Sequence, residues 1–428
     1  MKPYLKAKIF FTKAGSTMNS FLNNKNFRRF ATGGLLSAAG DVFFYLAFMT
    51  YASQMHNYSL AISLIAISEA VPKFLEIFAG YLADKSNHKF RSIVLTALLR
   101  CLLYALAALL LASKVDQWKL LLAIITINFL SDLCGSYSSG LIVPLVVDLV
   151  GQDNFGEAEG FVSGTKQIID VLAQFAGAGL ILVLSYAALA WINSLTFLIA
   201  AVLFALVSRK TGPVHATTNK TPAFWQTMRQ AYQQTQKQSG LLTIILVLAV
   251  INASLAAIEP LFSITLAAHK NSMVILSYSF TLALTNVAAA IGAAVGSIFG
   301  QKIFRSVNIF NLASLTALSS LLTTLSLFYH NSWLTAAWFS LLAALASAVS
   351  IKMTQWLVTS VDRQILASTV GLLNTILMAA SPLITTLVTT LSSFSLTWAI
   401  ISLLALEVAA LAVLIALNQR LRLSQPNK

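Results

Sequence analysis

The chain has 428 residues, of which 57% are hydrophobic and 10% charged, and its formal net charge is +14. An average soluble domain is about 25% charged, so this composition excludes an ordinary soluble protein and predicts an integral membrane protein. The basic residues stand in short segments between apolar runs rather than on one polar domain, which argues against nucleic-acid binding.

Twelve apolar runs are long enough to cross a bilayer, which requires about 20 residues each. The predicted helices 1 to 12 cover residues 30–52, 59–82, 91–113, 119–146, 158–184, 187–208, 241–266, 273–299, 307–329, 333–358, 365–390 and 396–418. The predicted fold class is therefore all-α and membrane-embedded, with six-helix bundles over 30–208 and 241–418. A tail over 1–29, a polar and basic linker over 209–240, and a tail over 419–428 complete the predicted division.

The positions of Lys and Arg predict the orientation in the membrane. Of the 28 such residues, 21 fall in segments that are cytoplasmic if the N-terminus is inside, and only Lys114, Lys119 and Lys270 fall in the opposite segments. By the positive-inside rule, both termini are expected in the cytoplasm. We expect a bacterial plasma membrane, because the chain has no large extracellular domain. One predicted cytoplasmic loop, over 147–160, carries carboxylates but no Lys or Arg.

The sequence lacks motifs that point to an enzyme. It contains no GxxxxGK phosphate loop, no HExxH and no GxSxG. Cys101 and Cys134 both lie within apolar runs and have no metal-binding spacing. We therefore expect no enzymatic activity, no cofactor and no metal site.

A motif follows predicted helix 2, where the sequence from Gly80 to Arg91 reads GYLADKSNHKFR. It resembles the G-x-x-x-D-R-x-G-R-R/K signature of the major facilitator superfamily. The residues that match in character are Gly80, Asp84, Lys85 and Lys89, whereas Asn87 and His88 depart from it. The resemblance implies that these four residues act in the switch between inward- and outward-facing states. The alternative is a solvated turn with a surface ion pair.

A looser similarity concerns the macrolide-efflux-type exporters and drug:proton antiporters of the same superfamily. It rests on Arg100, the stretch 144–160, Asp362-Arg363 and Pro382. The antiporter glycine motif of predicted helix 5 is represented only by Gly177 and Gly179. A degenerate second copy of the loop motif, without its aspartate, is suggested by Gly296, Gly300, Lys302 and Arg305.

Eleven charged residues fall inside predicted helices, beyond the first two residues of each helix. Because charges at a helix centre are costly in a bilayer, these residues must face water, pair with one another or be protonated. They are the carboxylates Asp41, Glu69, Glu76, Asp132, Asp170, Glu259 and Glu407 and the cations Lys73, Arg100, Lys166 and Lys352.

The resemblance implies that helices 1, 4, 7 and 10 line a central cavity, and each of them carries one charge. These charges are Asp41, Asp132, Glu259 and Lys352. With Arg100, they form the predicted substrate- and proton-coupling site, between the two halves near the bilayer midplane. The alternative for the three carboxylates is that they form ion pairs that stabilise the fold.

Other intramembrane charges are expected to be structural, with gating or substrate contact as the alternative for the paired ones. Glu69 with Lys73, and Lys166 with Asp170, are spaced i,i+4 and are predicted to form ion pairs within their helices. Arg100 has no partner in its own helix, so Asp132 or Asp41 is expected to pair with it. Glu407 is predicted to be peripheral.

The predicted function is secondary active transport by alternating access, with export of amphipathic small molecules in exchange for protons; a cationic substrate is one option. One alternative is a proton-coupled importer of a peptide, sugar or organic acid. Another is a non-transporting membrane sensor or immunity protein. The expected partners are a small-molecule substrate, protons and membrane lipids, with no nucleic acid, and the resemblance implies a monomer.

Overall fold

The computed structural model describes residues 19–84, 86, 88–208, 241–360 and 363–423. Within these ranges the chain forms twelve long helices, as expected from the hydropathy pattern, and the predicted all-α membrane fold is confirmed. In chain order they are α1 (Lys25–Ser53), α2 (Tyr58–Asp84), α3 (Lys89–Ala112), α4 (Gln117–Val150), α5 (Gln152–Val183), α6 (Tyr186–Ser208), α7 (Leu241–Ala268), α8 (Tyr278–Ile303), α9 (Ile309–Ser326), α10 (Ser332–Ser360), α11 (Arg363–Phe394) and α12 (Leu396–Leu423). Short helical segments cover Asn19–Asn23, Lys270–Met273 and Leu327–Tyr329.

Most of these helices have the length and apolarity that a bilayer crossing requires. Among the described residues, ten helices qualify, and the segment Ala379–Phe394 of α11 qualifies as a shorter apolar helix. Large apolar side chains stand exposed on the outer surfaces of the helices, for example Leu102, Leu182 and Leu383. Since lipid is as apolar as these side chains, such surfaces are expected in a membrane protein.

Several helices extend beyond the apolar runs that predicted them. The acidic segment 147–160 was predicted to be a loop, and this prediction is wrong: α4 continues to Val150 and α5 begins at Gln152. Only Gly151 interrupts the helices there, with a φ of 80°. Hydropathy marks the part of a helix that lies in lipid, whereas backbone hydrogen bonding continues wherever polar side chains are solvated. The predicted linker over 209–240 lies outside the described residues.

The chain divides into two compact units. Unit 1 comprises residues 1–48 and 75–218, and unit 2 comprises residues 49–74 and 219–428. The predicted boundaries at 208 and 241 remain predictions. In unit 2, the early part of α2 is hydrogen-bonded to α11: Ser63 Oγ donates to the carbonyl oxygen of Thr389 at 2.6 Å, and Ser59 Oγ to that of Ser392 at 2.8 Å.

In unit 1, α1 packs closely against α6. A Cβ added at Gly40 would overlap Thr196 Oγ1 and Asn193 Oδ1, so only glycine fits at this approach. Gly40 immediately precedes Asp41. The close packing of the two helices therefore brings the carboxyl group of Asp41 next to polar side chains of α6.

In unit 2, α8 packs against α10 through small residues. A Cβ added at Gly296 would overlap the backbone oxygen of Ala344, and one added at Gly300 would lie 2.6 Å from the Cβ of Ala348. Gly296 and Gly300, which the sequence suggests as part of a degenerate loop motif, thus lie in a helix–helix interface. Small residues allow such close backbone contact in membranes.

The α9–α12 interface of unit 2 contains an unexpected carboxyl group. The side chain of Glu407 is only 2% exposed, and its Oε1 atom accepts hydrogen bonds from Ser320 and Thr324 of α9. The prediction that Glu407 is peripheral is therefore wrong. Hydropathy places a residue at a depth in the membrane but does not determine which side of the helix faces protein.

Candidate functional site

The candidate site of unit 1 is built around an ion pair between α1 and α3. Arg100 Nη2 lies 3.0 Å from Asp41 Oδ2, and Arg100 Nε donates to Ser131 Oγ of α4 at 2.8 Å. The side chains of Arg100 and Asp41 are 13% and 37% exposed. Of the two partners expected for Arg100, the structure selects Asp41 for direct contact. Three helices are thus joined by one guanidinium group, which is planar and donates in several directions.

Aromatic rings enclose the guanidinium group. Its Cζ atom lies 4.0 Å from the ring centroid of Phe197 on α6, a cation–π arrangement. Tyr104 stacks on Phe197 with centroids 5.6 Å apart, and Phe44 contacts the Tyr104 ring edge-on at 4.8 Å. These contacts hold Arg100 in place on its apolar side, which leaves its polar edge directed at the carboxyl groups.

Asp132 forms the second acidic part of the same cluster. Asn128 Nδ2 donates to Asp132 Oδ2 at 3.0 Å, and Tyr104 OH donates to Asn128 Oδ1 at 3.0 Å. Asp132 lies close enough to Arg100 for an electrostatic interaction. Two carboxyl groups therefore share one guanidinium group, and with both ionised the cluster carries one net negative charge. Such a cluster can take up one proton or attract one cation.

Asn193 of α6 is a site residue that sequence reasoning did not identify. Its Nδ2 atom lies 3.4 Å from Asp41 Oδ1, and the residue is fully buried. Its position as the only amide side chain in the apolar sequence of α6 is the signal that could have found it. Buried polar side chains need hydrogen-bond partners, so an isolated asparagine in such a helix indicates a polar neighbour.

In unit 2, Glu259 and Lys352 are hydrogen-bonded to different parts of the protein. Glu259 Oε1 on α7 accepts from Asn286 Nδ2 of α8 at 2.9 Å. Lys352 Nζ on α10 instead donates to the carbonyl oxygen of Phe304 at 2.7 Å and to that of Val307. Lys352 therefore caps the backbone after α8, where helix carbonyl groups carry partial negative charge. Its role toward a substrate remains a prediction.

The loop motif is described in part. The α2 helix ends at Asp84, and Lys85 lies outside the described residues. Lys89, which is buried, donates through Nζ to the carbonyl oxygens of Ala83 at 3.2 Å and Ser86 at 3.3 Å. It thus caps the C-terminal end of α2. The switch role of Gly80, Asp84, Lys85 and Lys89 remains a prediction.

The two predicted helix ion pairs differ in the structure. Lys166 Nζ lies 2.7 Å from Asp170 Oδ2 on the exposed surface of α5. The Lys73 side chain is exposed and Glu69 is half-buried, and their predicted ion pair remains a prediction. A helical spacing of four residues permits such a pair but does not enforce it, because solvation of a lysine competes.

No group of three or more His, Cys, Asp and Glu side chains among the described residues is arranged to hold a metal ion.

Comparison with solved structures places the fold among membrane transporters. The POT-family transporter PepTSo superposes with a TM-score of 0.71 at 12% identity, covering 93% of this chain and 98% of that one. The nucleoside transporter NupG and a bacterial homologue of the iron transporter ferroportin, the latter in an inward-facing state, each have a TM-score of 0.68. Their sequence identities to this chain are 11% and 12%. Each superposition covers 92% of this chain and 98% of the other chain. At these identities the similarity shows the fold alone.

The sequence comparisons give the family. No curated protein matches the chain. The family model described as Major Facilitator Superfamily matches residues 30–385, which is most of the 428 residues. The chain therefore belongs to the Major Facilitator Superfamily.

Proposed function

We propose that this protein is a proton-coupled secondary active transporter that exports amphipathic small molecules by alternating access. Its place is the bacterial plasma membrane, with both termini in the cytoplasm, and it acts as a monomer. The observation that carries this proposal is the cluster in which Asp41 and Asp132 share the guanidinium group of Arg100. A charged cluster inside spanning helices is costly in lipid and is expected to serve a function.

The cluster provides a simple way to couple proton binding to a structural change. With both carboxyl groups ionised, Arg100 pairs with Asp41, and the uncompensated negative charge attracts a cationic substrate. When a proton binds Asp41, the neutral carboxyl group no longer competes for the guanidinium group. Arg100 then pairs with Asp132, and α1 is released from α3. Proton and cationic substrate are thus alternative ligands of one cluster, as exchange requires.

The remaining charged residues support this scheme in different ways. Glu259 is a second carboxyl group available to a proton or substrate in unit 2, next to the amide of Asn286. Lys352 and Lys89 act by holding the backbone at the ends of α8 and α2. We assign these two lysines to the conformational change. Solved structures of similar fold include a POT-family peptide transporter, a nucleoside transporter and a bacterial homologue of an iron transporter, which supports transport of a small molecule.

The experiment that tests this proposal is uptake into inverted membrane vesicles. Inside-out vesicles that carry the protein are energised with an inwardly acidic proton gradient and are offered a panel of amphipathic cations, neutral drugs and nutrients. We expect at least one amphipathic compound to accumulate, and a protonophore to abolish that accumulation. If instead nutrients accumulated in right-side-out vesicles and no compound accumulated in inverted vesicles, the protein would be an importer.

A matched control separates transport from expression. Asp116→Asn removes a carboxyl group from the α3–α4 connection, but Asn still caps α4 at the position where Asp116 accepts from Trp118 and Lys119. This variant should transport at the wild-type rate. If it lost transport as fully as Asp41→Asn did, the loss would not be specific to the cluster.

A further inference from the structure

A further carboxyl group, that of Glu407, lies away from the cluster of Asp41, Asp132 and Arg100, at the interface between α9 and α12. Glu407 lies near the middle of α12, is 2% exposed and is contacted by two hydroxyl groups of α9. Ser320 Oγ donates to Glu407 Oε1 at 2.5 Å, and Thr324 Oγ1 donates to the same oxygen at 3.0 Å. The other oxygen, Oε2, is buried and has no hydrogen-bond partner among the described residues.

This asymmetry indicates the protonation state. An ionised carboxylate carries its charge on both oxygens, so it is costly to bury one of them without a donor, whereas a carboxylic acid has one carbonyl oxygen, which accepts, and one hydroxyl oxygen, which bears the proton. Here both donors converge on Oε1 and none approaches Oε2. The arrangement matches a neutral acid in which Oε1 is the carbonyl oxygen and Oε2 carries the proton.

Within the part of the chain that the structure describes, the helices packed against α12 place no compensating charge beside Glu407. The helices packed against α12 are α7, α9 and α11. Along α9 there is no titratable residue, α7 carries only Glu259, whose Oε1 bonds to Asn286 of α8, and α11 carries only Arg363, at its first position. Within α12 itself, the charged residues besides Glu407 are Arg420 and Arg422, near its C-terminal end. An ionised Glu407 would therefore be an unpaired charge in the apolar interior.

We propose that Glu407 is a proton-binding site of unit 2, distinct from the cluster at Asp41 and Arg100. Its ligand is a single proton on Oε2, and Ser320 and Thr324 hold the carbonyl oxygen of the acid. Binding converts the carboxylate to a carboxylic acid and forms one O–H bond; nothing else is exchanged. The bound proton keeps α9 and α12 packed, because its loss leaves a charge between them.

The most direct test is infrared spectroscopy of the purified full-length protein in liposomes, without substrate. A protonated carboxyl group has a carbonyl stretching band separate from that of carboxylates, and the band shifts in D₂O. We expect this band at neutral pH in the wild type and its loss in Glu407→Gln. Glu157→Gln, which removes the carboxyl group that accepts from the backbone N–H of Ser20 on the cytoplasmic side, should leave the band in place.

A second variant keeps the test decisive if Glu407→Gln does not fold. Ser320→Ala removes one donor to Oε1, so the carbonyl band should move to higher frequency while remaining present. An unchanged band in Glu407→Gln, or an unmoved band in Ser320→Ala, would overturn the proposal. Loss of the wild-type band on addition of sodium would also overturn it, because the ligand would then be a metal ion.

Thermal unfolding as a function of pH gives an independent readout. Glutamine copies the shape and the carbonyl acceptor of the neutral acid but cannot ionise. As pH rises, the melting temperature of the wild type should fall relative to that of Glu407→Gln. A difference between the two proteins that stays constant with pH would contradict proton binding at Glu407. None of these measurements depends on transport, so failure of the proposed function would leave this inference standing.

Discussion

Asp41 of α1 and Arg100 of α3 are joined by an ion pair with 3.0 Å between Oδ2 and Nη2. Arg100 is mostly enclosed, since Phe197 lies 4.0 Å from its guanidinium carbon and Ser131 accepts from its Nε. Asp41 is more accessible. The cation is therefore fixed in place, and the carboxyl group is the more accessible member of the pair.

The first prediction concerns the energy of this pair. Asp41→Asn removes the carboxylate in direct contact with Arg100 and leaves only the more distant Asp132 to balance its charge. We expect a loss of about 1–3 kcal/mol in unfolding free energy, below the usual cost of breaking a fully buried pair because Asp41 is partly solvated. Arg100→Gln should cost a similar amount. The double variant should cost clearly less than the sum, as measured by thermal or denaturant unfolding in detergent. Strict additivity would show that the two residues do not interact.

The second prediction concerns the α8–α10 interface. Gly296→Ala places a Cβ on the backbone oxygen of Ala344, so the helices must separate, at a cost of about 1–3 kcal/mol. The control is Gly34→Ala on α1, where a Cβ meets nothing within 4 Å and where alanine favours the helix by about 0.5–1 kcal/mol. Melting temperatures of the purified variants test both expectations. Equal melting temperatures for the two variants would refute the packing role of Gly296.

The third prediction separates two roles of Lys352. If Lys352 mainly stabilises the backbone by donating hydrogen bonds to the carbonyl oxygens of Phe304 and Val307, Lys352→Met should increase amide hydrogen exchange in the segment between α8 and α9. Lys352→Arg should restore most of the protection, because it also donates hydrogen bonds. If exchange stays at the wild-type level while the KM for substrate rises, Lys352 binds substrate instead.

The fourth prediction concerns a histidine pair that follows two spanning helices. The rings of His269 and His330 stack with centroids 3.6 Å apart. Partial burial, and to a lesser extent the positive charge of His269, lower the pKa of His330 from its usual value. The folded protein favours the neutral form of His330. The resulting loss of folding stability is therefore absent above the ordinary histidine pKa of about 6.5, and it grows as the pH falls toward the lowered pKa.

The measurement for this pair is an NMR titration of labelled histidine in the intact protein. In His269→Gln, the pKa of His330 should rise toward its usual value because the neighbouring positive charge is removed. The neighbouring cation Lys270 serves as the control, since its Nζ donates to the carbonyl oxygen of Ser53. Lys270→Gln should leave the pKa of His330 nearly unchanged. An equal rise in both variants would contradict a specific histidine–histidine effect.

Much of the fold could be predicted because a bilayer imposes simple requirements. Runs of apolar residues located all twelve long helices, since each must satisfy its own backbone and cover the hydrocarbon thickness. The need of Arg100 for a carboxyl group on another helix followed from the same reasoning. The acidic segment around Gly151 was misjudged, because hydropathy does not report where helical hydrogen bonding ends.

The side-chain environments could be predicted less well, because they depend on the rotation of each helix about its axis. The sequence pattern predicts the same depth in the membrane for Glu407 whether its side chain faces lipid or α9. Only tertiary packing places it beside Ser320 and Thr324. Lys352 was expected to face a cavity, yet the carbonyl groups after α8 lie within its reach. A long and flexible side chain can reach several hydrogen-bond partners, and the spacing of residues along one helix does not identify which of them it contacts.

The central claim is that Asp41 carries the proton that drives transport, and counterflow measured beside net flux in proteoliposomes tests it most directly. In counterflow, substrate exchanges across the membrane without net proton movement. For an uncharged amphipathic substrate, we predict that Asp41→Asn reduces proton-driven accumulation at least about tenfold, equivalent to about 1.4 kcal/mol, and leaves counterflow near the wild-type rate, because binding of such a substrate does not depend on the net charge of the cluster. Undiminished proton-driven accumulation in Asp41→Asn, with Asp116→Asn as the reference, would contradict the account.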